Sequence, residues 1–492
     1  MSGLNAYLGQ YTAINLVGRV ISTFADLVTI ILLFKLAKKL FDSKTGLLAA
    51  FFYAISVLPI QLSHFYAVDT LLTCFIIATL YSLLIFYESP SVKMSFIVGL
   101  LFGLSLATKI SALVLLAPIG LALITDFFLI FLKKPHRPRH WLPHLPKFLK
   151  HLIKYAFLIA LITTFTFLLL EPYALIDFKT FQLQTVQQST LTNNPFYFPY
   201  TLQYVGKIPY VYELKNIFFW GLGPLLAALS FTGVIYFIIM LLRREREAQF
   251  AKKFIIFVFF LTYFFITGRF AVGFMRYMLP LYPLLCLFAA LLIYAISQTL
   301  NSHVRNKSIL YTLYFILYTL LLIWPLTFVQ VYAKNNPRTD ATNWINQNIP
   351  AGQTLAIEHW DDGLPLSGQE HYRMLTLALY DPDTDQKWTL LDSQLEQTDY
   401  IIIASNRLYT PIQKLTDCAH LPLYRCYPRT SVYYQNLFSG NLGFQKVAEF
   451  ENLPTIPFFN IKIGDRDADE SFTVYDHPKI MIFQKMSSHS TM

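Results

Sequence analysis

The sequence predicts an α-helical polytopic membrane protein of about ten transmembrane helices, followed by a small C-terminal α/β domain. Three observations predict it. The 492-residue chain is 55% hydrophobic and only 14% charged, where a soluble domain carries roughly 25% charged residues. Apolar runs of spanning length recur along the first two thirds. The charge divides sharply: residues 1–334 hold 27 Lys+Arg against 10 Asp+Glu, and residues 335–492 hold 12 against 19. A basic membrane part, 1–334, and an acidic tail, 335–492, therefore occupy different environments.

The apolar runs fall at about 15–34, 45–62, 70–87, 94–108, 110–132, 155–171, 216–242, 254–271, 279–299 and 309–332. Each is long enough, or nearly so, to cross a hydrocarbon core of about 30 Å. The fourth is short and meets the fifth at Lys109. Phe and Tyr number 44 and 31, as expected where aromatic rings line both membrane interfaces.

Lys and Arg crowd into alternate connections: KLAKKLFDSK, KKPHRPRHWLPHLPKFLKHLIKY, RREREAQFAKK and HVRNKS. The connections at 63–69, 172–215 and 272–278 hold few. The positive-inside rule puts the basic set in the cytoplasm. The other set and the tail then face outward, as in a multi-pass protein of the cell membrane with an extracytoplasmic C-terminal domain. The long connection 172–215, rich in Tyr, Phe and Pro, is expected along the outer membrane surface. With ten spans the N-terminus is also outside, although MSGLNAYLGQYTAIN has neither a basic n-region nor a cleavage site.

In the tail, TDATNWINQNIPAG reads as a helix opened by Asp340, TLAIEHW as a strand, LLDSQLEQTDYIIIAS as helix then buried strand, and HPKIMIFQK as a closing strand. Alternating helix and strand implies a layered α/β sheet. Cys418 and Cys426 would pair in an oxidising compartment and stay as two thiols otherwise. Cys74 and Cys286 fall in apolar runs and read as packing. No Cys/His cluster has metal spacing, so no metal or cofactor is expected. The basic excess sits in short loops between spans, which argues against nucleic acid.

Asp69, in LSHFYAVDTLLTCF, is the informative acid. A carboxylate within hydrocarbon costs about 2.5–3.5 kcal/mol even on lenient scales. On the outward connection that cost is small, and Asp69 could simply cap a helix starting at Thr70. Other polar residues gather at the same face. His64 and Tyr66 share the connection with Asp69. Lys109 closes GLLFGLSLATK, Glu171 and Tyr173 open EPYALIDF, and Arg269 and Arg276 flank the turn in TGRFAVGFMRYMLPLYP. Singly, each reads as an interfacial or snorkelling side chain. Together they form a site for an anionic lipid headgroup and a polar acceptor. Sugar transfer from a polyprenyl phosphate needs a carboxylate to orient or deprotonate the acceptor hydroxyl and cations to hold the departing phosphate. Asp69 is the candidate catalytic acid. Lys109, Arg276 and Arg269 are the candidate phosphate ligands, and His64, Tyr66, Glu171 and Tyr173 would line the acceptor side.

The stretches LVGRVISTFADLVTIILLFKLAKKLF, GLLAAFFYAISVLPIQLSHFYAVDTLLTCF, GLLFGLSLATKISALVLL, EPYALIDF, PYTLQYVGKIPYVYELKNIFFWGLGPLLAAL and MRYMLPLYPLL resemble, in order and spacing, the GT-C glycosyltransferases of the protein O-mannosyltransferase and aminoarabinose-transferase type, over roughly residues 10–300. The resemblance implies a membrane enzyme that takes a hexose or pentose from a polyprenyl-phosphate sugar, usually inverts the anomeric centre, and needs no divalent metal. Its partners would be that donor, membrane lipids and a hydroxyl acceptor on protein, lipid or glycan. By the same resemblance, Asp69 matches the acid of the family's second outer loop. The family also has an inward N-terminus, a first helix and an acid in the first outer loop. The sequence begins after that point, so either those parts lie upstream of Met1 or the protein lacks that acid and is inactive alone. Asp26, well inside an apolar run, reads as a buried acid paired with Arg19 or a backbone group. Two other classes stay open: a flippase for a lipid-linked sugar, and a non-catalytic membrane scaffold.

Overall fold

In the computed structural model the chain divides into two compact units, Met1–Ser189 with Pro209–Pro325, and Thr190–Ile208 with Leu326–Met492. The structure describes residues 11–133, 145–243 and 247–486. The N-terminal decapeptide and the basic segments 134–144 and 244–246 lie outside the described residues.

The helices are α1 (Tyr11–Leu40), α2 (Ser43–Ala54), α3 (Val57–Ser63), α4 (Val68–Glu88), α5 (Val92–Thr108), α6 (Leu116–Lys133), α7 (Leu145–Leu170), α8 (Phe178–Asn193), α9 (Pro224–Leu242), α10 (Glu247–Gly268), α11 (Tyr282–His303) and α12 (Lys307–Val329). Among the described residues seven helical segments are long and apolar enough to cross a membrane, or eight if the bent pair α2–α3 is one span. Two shorter apolar helices, Val92–Thr108 and Ile110–Thr125, account for the other expected runs. The chain is an integral membrane protein.

Local chemistry sets the ends of these helices. Asp42 caps α2, accepting from the Lys44 and Thr45 amides at 2.8 and 2.9 Å. Ser91 caps α5 through the Met94 amide at 3.2 Å. The 59° bend between α2 and α3 falls one turn before Pro59, which has no amide to continue the ladder. Lys39 and Lys252 converge on Glu88, tying the ends of α1, α4 and α10. Asp26 is paired differently from expectation: its Oδ1 accepts from the fully buried Tyr53 hydroxyl at 2.7 Å. A phenol from α2 lies closer than Arg19, whose long side chain is exposed.

Helices α5 and α7 touch backbone to backbone. A Cβ on Gly103 would stand 2.6 Å from Thr166 Cβ and 2.9 Å from the Thr163 carbonyl. One turn earlier, Thr163 Oγ1 donates to the Gly99 carbonyl at 3.1 Å. This is the small-residue packing used where lipid offers no hydrophobic drive for helix association.

The second unit holds α13 (Pro337–Asn348), β1 (Thr354–Glu358), β2 (Arg373–Leu377), α14 (Asp385–Glu396), β3 (Tyr400–Ile403), α15 (Pro428–Ser439), β4 (Phe444–Phe450), a hairpin of β5 (Thr455–Ile456) and β6 (Ile461–Lys462), and β7 (Ile480–Lys485). The main sheet runs β2-β1-β3-β7-β4. Strand β1 is parallel to β2 and β3, and β7 is antiparallel to β3 and β4. Alternation in the wholly buried Tyr400-Ile-Ile-Ile403 serves two cores. Ile402 packs with Ala341 and Ile345 of α13, while Ile401 and Ile403 pack with Trp388, Leu391, Tyr433 and Leu437 of α14 and α15.

Two details differ from the sequence reading. Helix α13 starts at Pro337, with Asn336 as the cap on the Arg338 amide at 2.9 Å. Pro at the first helical position explains the earlier start, and Asp340 sits in the first turn. Residues 172–215 are not one loop: α8 occupies the middle, and residues 194–208 pack into the α/β unit. There the Tyr380 hydroxyl donates to the Tyr197 carbonyl at 3.0 Å and Arg425 Nε to the Phe196 carbonyl at 2.9 Å. Cys418 and Cys426 form a disulfide, with Cα atoms 5.4 Å apart.

Candidate functional site

Helix α4 begins at Val68 because Ala67 is extended, with φ −109° and ψ 125°. Helix α1 fixes that connection. Ser22 Oγ donates to the Ala67 carbonyl at 3.3 Å, and Thr23 Oγ1 to the Ser63 carbonyl at 3.1 Å. The ring of Tyr66 lies over Gly18, where any Cβ would meet its Cγ at 2.1 Å. Asp69 therefore enters the bundle as the second residue of α4 and not as its cap. Only 3% of it is exposed.

Lys109 is the hinge between α5 and the 3-10 turn Ile110–Leu115, with an extended φ of −164° and ψ of 128°. Arg276 lies in a second 3-10 turn, Met275–Leu281, which contains Pro280 and leads into α11. Both turns end on the carboxylate. Lys109 Nζ is 2.8 Å from Asp69 Oδ1, and Arg276 Nε is 3.8 Å from Oδ2. The side chains of Lys109 and Arg276 are 29% and 35% exposed, against 4% for Asp69. Two partly exposed cations beside one covered carboxylate place positive charge on the accessible side. Such a surface attracts an anion, and a planar guanidinium beside an ammonium suits phosphate oxygens.

Aromatic rings hold the cations. Lys109 Nζ stands 4.3 Å from the Tyr277 ring centroid, and the Arg276 guanidinium 4.7 Å from that of Phe274. The Tyr263 hydroxyl donates to the Tyr277 carbonyl at 3.0 Å, fixing that residue from α10. Tyr277 and Tyr263 were not singled out from the sequence. Tyr277 abuts Arg276, but one aromatic beside one cation is a faint signal in a chain with 31 tyrosines.

The other expected residues sit on the connections before α4, after α7 and after α10. Arg269 is exposed beyond α10. Glu171 follows α7, and its carbonyl accepts the Ala174 amide at 3.0 Å; Tyr173 is exposed in the next turn. Neither these three nor Tyr66 hydrogen-bonds or ion-pairs through its side chain with Asp69, Lys109 or Arg276, among the described residues. His64 is exposed, and its Nδ1 lies 2.8 Å from the Ile60 carbonyl. Among the described residues no three His, Cys, Asp or Glu side chains come together to hold a metal ion.

The fold and the group around Asp69 define a polytopic helical membrane protein with a cationic site at the ends of its helices. The family model of the dolichyl-phosphate-mannose-protein mannosyltransferases matches residues 12–168, the segment that carries Asp69 and Lys109. That match bears out the resemblance to GT-C glycosyltransferases read from the sequence. No curated protein sequence matches the chain. Among solved structures, the chain is similar to the Archaeoglobus fulgidus oligosaccharyltransferase tethered to an acceptor peptide containing the NVT sequon, at 14% identity and a TM-score of 0.43 over 95% of this chain and 77% of that one. The same enzyme in complex with Zn and sulfate gives 14% identity and a TM-score of 0.39, over 81% of this chain and 58% of that one. ArnT from Cupriavidus metallidurans bound to undecaprenyl phosphate gives 12% identity and a TM-score of 0.40, over 78% of each chain.

Proposed function

We propose that the chain is an integral membrane glycosyltransferase that moves a sugar from a polyprenyl-phosphate donor to a hydroxyl acceptor on protein, lipid or polysaccharide, at the outer face of the cell membrane. The observation that carries the reading is the Lys109–Asp69–Arg276 group, most of which falls in the segment matched by the mannosyltransferase family model. In this reading Lys109 and Arg276 take the donor phosphate and stabilise the charge that builds on it as the sugar departs. The reading uses no metal, since both positive charges at the phosphate come from side chains. Asp69 first positions the two cations. The phosphate then competes for them, and the carboxylate, partly released, orients the acceptor hydroxyl.

One observation favours a second reading. The break between α2 and α3, 59° within an apolar segment, is a feature of secondary transporters as well. A labelled polyprenyl-phosphate sugar in liposomes holding the full-length protein separates the two. Covalent transfer of label to an acceptor supports the transferase. Movement of label across the bilayer without transfer supports the flippase. Neither result would leave a scaffold.

A further inference from the structure

Residues 335–492 hold 19 acids, yet the stretch 452–464, NLPTIPFFNIKIG, contains none and carries one lysine. It builds the β5–β6 hairpin, with Thr455 opposite Lys462 and Ile456 opposite Ile461. The tip is strained: Phe458 and Asn460 take positive φ angles of 69° and 52°, a region that bulky residues rarely occupy. Phe458 is fully exposed, Phe459 is 73% exposed and Ile461 55%. Among the described residues nothing covers these side chains, and such a cluster on a turn marks an interaction surface.

Its position identifies the occupant. Asn452 Nδ2 donates to the Val331 carbonyl at 2.8 Å, and the Ile463 amide closes the hairpin base on the Pro454 carbonyl at 2.8 Å. Val331 belongs to the 3-10 turn Gln330–Ala333, which follows directly on the apolar helix α12. The tip lies only a few residues past this base, so it reaches no further than about 10–15 Å at about 3.3 Å per residue. Lys462 of β6, and Lys334 just after the 3-10 turn, are exposed. So is Tyr475, whose carbonyl accepts from Asn336 Nδ2 at 3.2 Å. Aromatic rings and a lysine on an acid-free hairpin, where a spanning helix ends, have the composition of a membrane interface.

We propose that the Phe458–Phe459 tip is a bilayer anchor, seated at the boundary between headgroups and acyl chains of the membrane that α12 leaves. The rings enter the acyl region, and Lys334 and Lys462 meet lipid phosphates. This role does not depend on the transferase reading. It gives the α/β unit a second attachment to the membrane besides its peptide link.

Site-directed spin labelling of the full-length protein tests it. Phe458→Cys removes an exposed side chain, so folding is not at stake. The native cysteines do not compete, since Cys74 and Cys286 are buried and Cys418 is bridged to Cys426. The label is placed at Phe458 and, as a control, at the exposed Thr389 of α14, in nanodiscs of zwitterionic and anionic phospholipid holding one protein copy each. The expected result is a ratio of oxygen to nickel-chelate accessibility several-fold higher at 458 than at 389, with added relaxation from doxyl-labelled lipid at 458 alone. Equal accessibility at the two sites overturns the proposal. Protection from nickel without relaxation by doxyl lipid also overturns it, because the tip is then covered by protein.

Discussion

Lys109 is held by Asp69 at 2.8 Å while its ammonium also faces the Tyr277 ring at 4.3 Å. One cation thus joins α4, the end of α5 and the turn before α11. The carboxylate is buried and the cation partly open, so the pair presents charge outward while its counter-charge stays covered. A surface ion pair would contribute little and be screened by salt. This one owes its geometry to the covered partner.

Replacing Asp69 with Asn is expected to abolish transfer, by at least about a hundredfold, while the protein stays inserted and folded. The amide is nearly isosteric but cannot hold two cations, and a hydrogen bond to a charged group contributes about 1.5–3 kcal/mol. Initial rates with a labelled donor, alongside thermal unfolding of the same preparation, check it. Wild-type rates in the Asp69→Asn protein would reduce Asp69 to a structural residue of the first turn of α4.

Lys109→Ala is expected to weaken binding of the lipid donor by about tenfold or more, the scale of one charge-assisted hydrogen bond. Acceptor affinity should change far less. Titration with the polyprenyl phosphate alone isolates the donor half. Unchanged donor affinity would remove Lys109 from the site.

Much of this was legible in the sequence, for identifiable reasons. Spanning helices announce themselves by local apolar length, so the ten runs and the turn at Lys109 could be read directly. Asp69, Lys109 and Arg276 could each be named, because a charge in an apolar setting stands out. Their convergence could not, since it depends on how distant helices pack. Arg269 and Arg276 flank the same turn and look alike as sequence. The 3-10 turn with Pro280 brings Arg276 to Asp69, while Arg269 stays exposed. The capping role considered for Asp69 failed because Ala67, not Asp69, takes the extended conformation. Residues 194–208 misled for a related reason. Their aromatic composition suits a membrane surface, but their partners Tyr380 and Arg425 lie far along the chain.

The contact between α5 and α7 predicts a large effect from a small change. Gly103→Val would drive a branched side chain into Thr166 and the Thr163 carbonyl, costing about 1–3 kcal/mol by overpacking. Gly120→Val is the control, because a Cβ there meets nothing within 4 Å. Thermal unfolding in one detergent should show a clear fall for the first and little for the second. Equal stability of the two would mean that the helices separate without penalty.

The α/β unit should lose stability as pH rises from about 5 to about 9. Burial raises Glu358 to about 8 despite the hydrogen bond from the Tyr434 hydroxyl, and raises Glu470 to about 7 against the pull of Arg407. Burial alone would lower His477, but Asp476 and Asp465 on its two ring nitrogens raise it to about 10. All three groups bind protons more tightly folded than unfolded, so the folded state holds the excess of protons. For the acids the loss begins above their ordinary carboxylate range, near 4.5, and is complete once pH passes about 7 and 8. For His477 stabilisation is full below about 6.5 and is lost as pH rises through about 10. The slopes add with one sign. Hydrogen exchange of the central strands β3 and β7 in the full-length protein, corrected for the intrinsic pH dependence, reads the effect as falling protection. Glu358→Gln keeps an acceptor for Tyr434 and removes that titration, so its profile should be less steep between about 4.5 and 8, where Glu470 and His477 still titrate, and leave the decline near 10 intact. Protection that rises with pH, or an unchanged slope in Glu358→Gln, would show that these buried groups do not set the unit's stability.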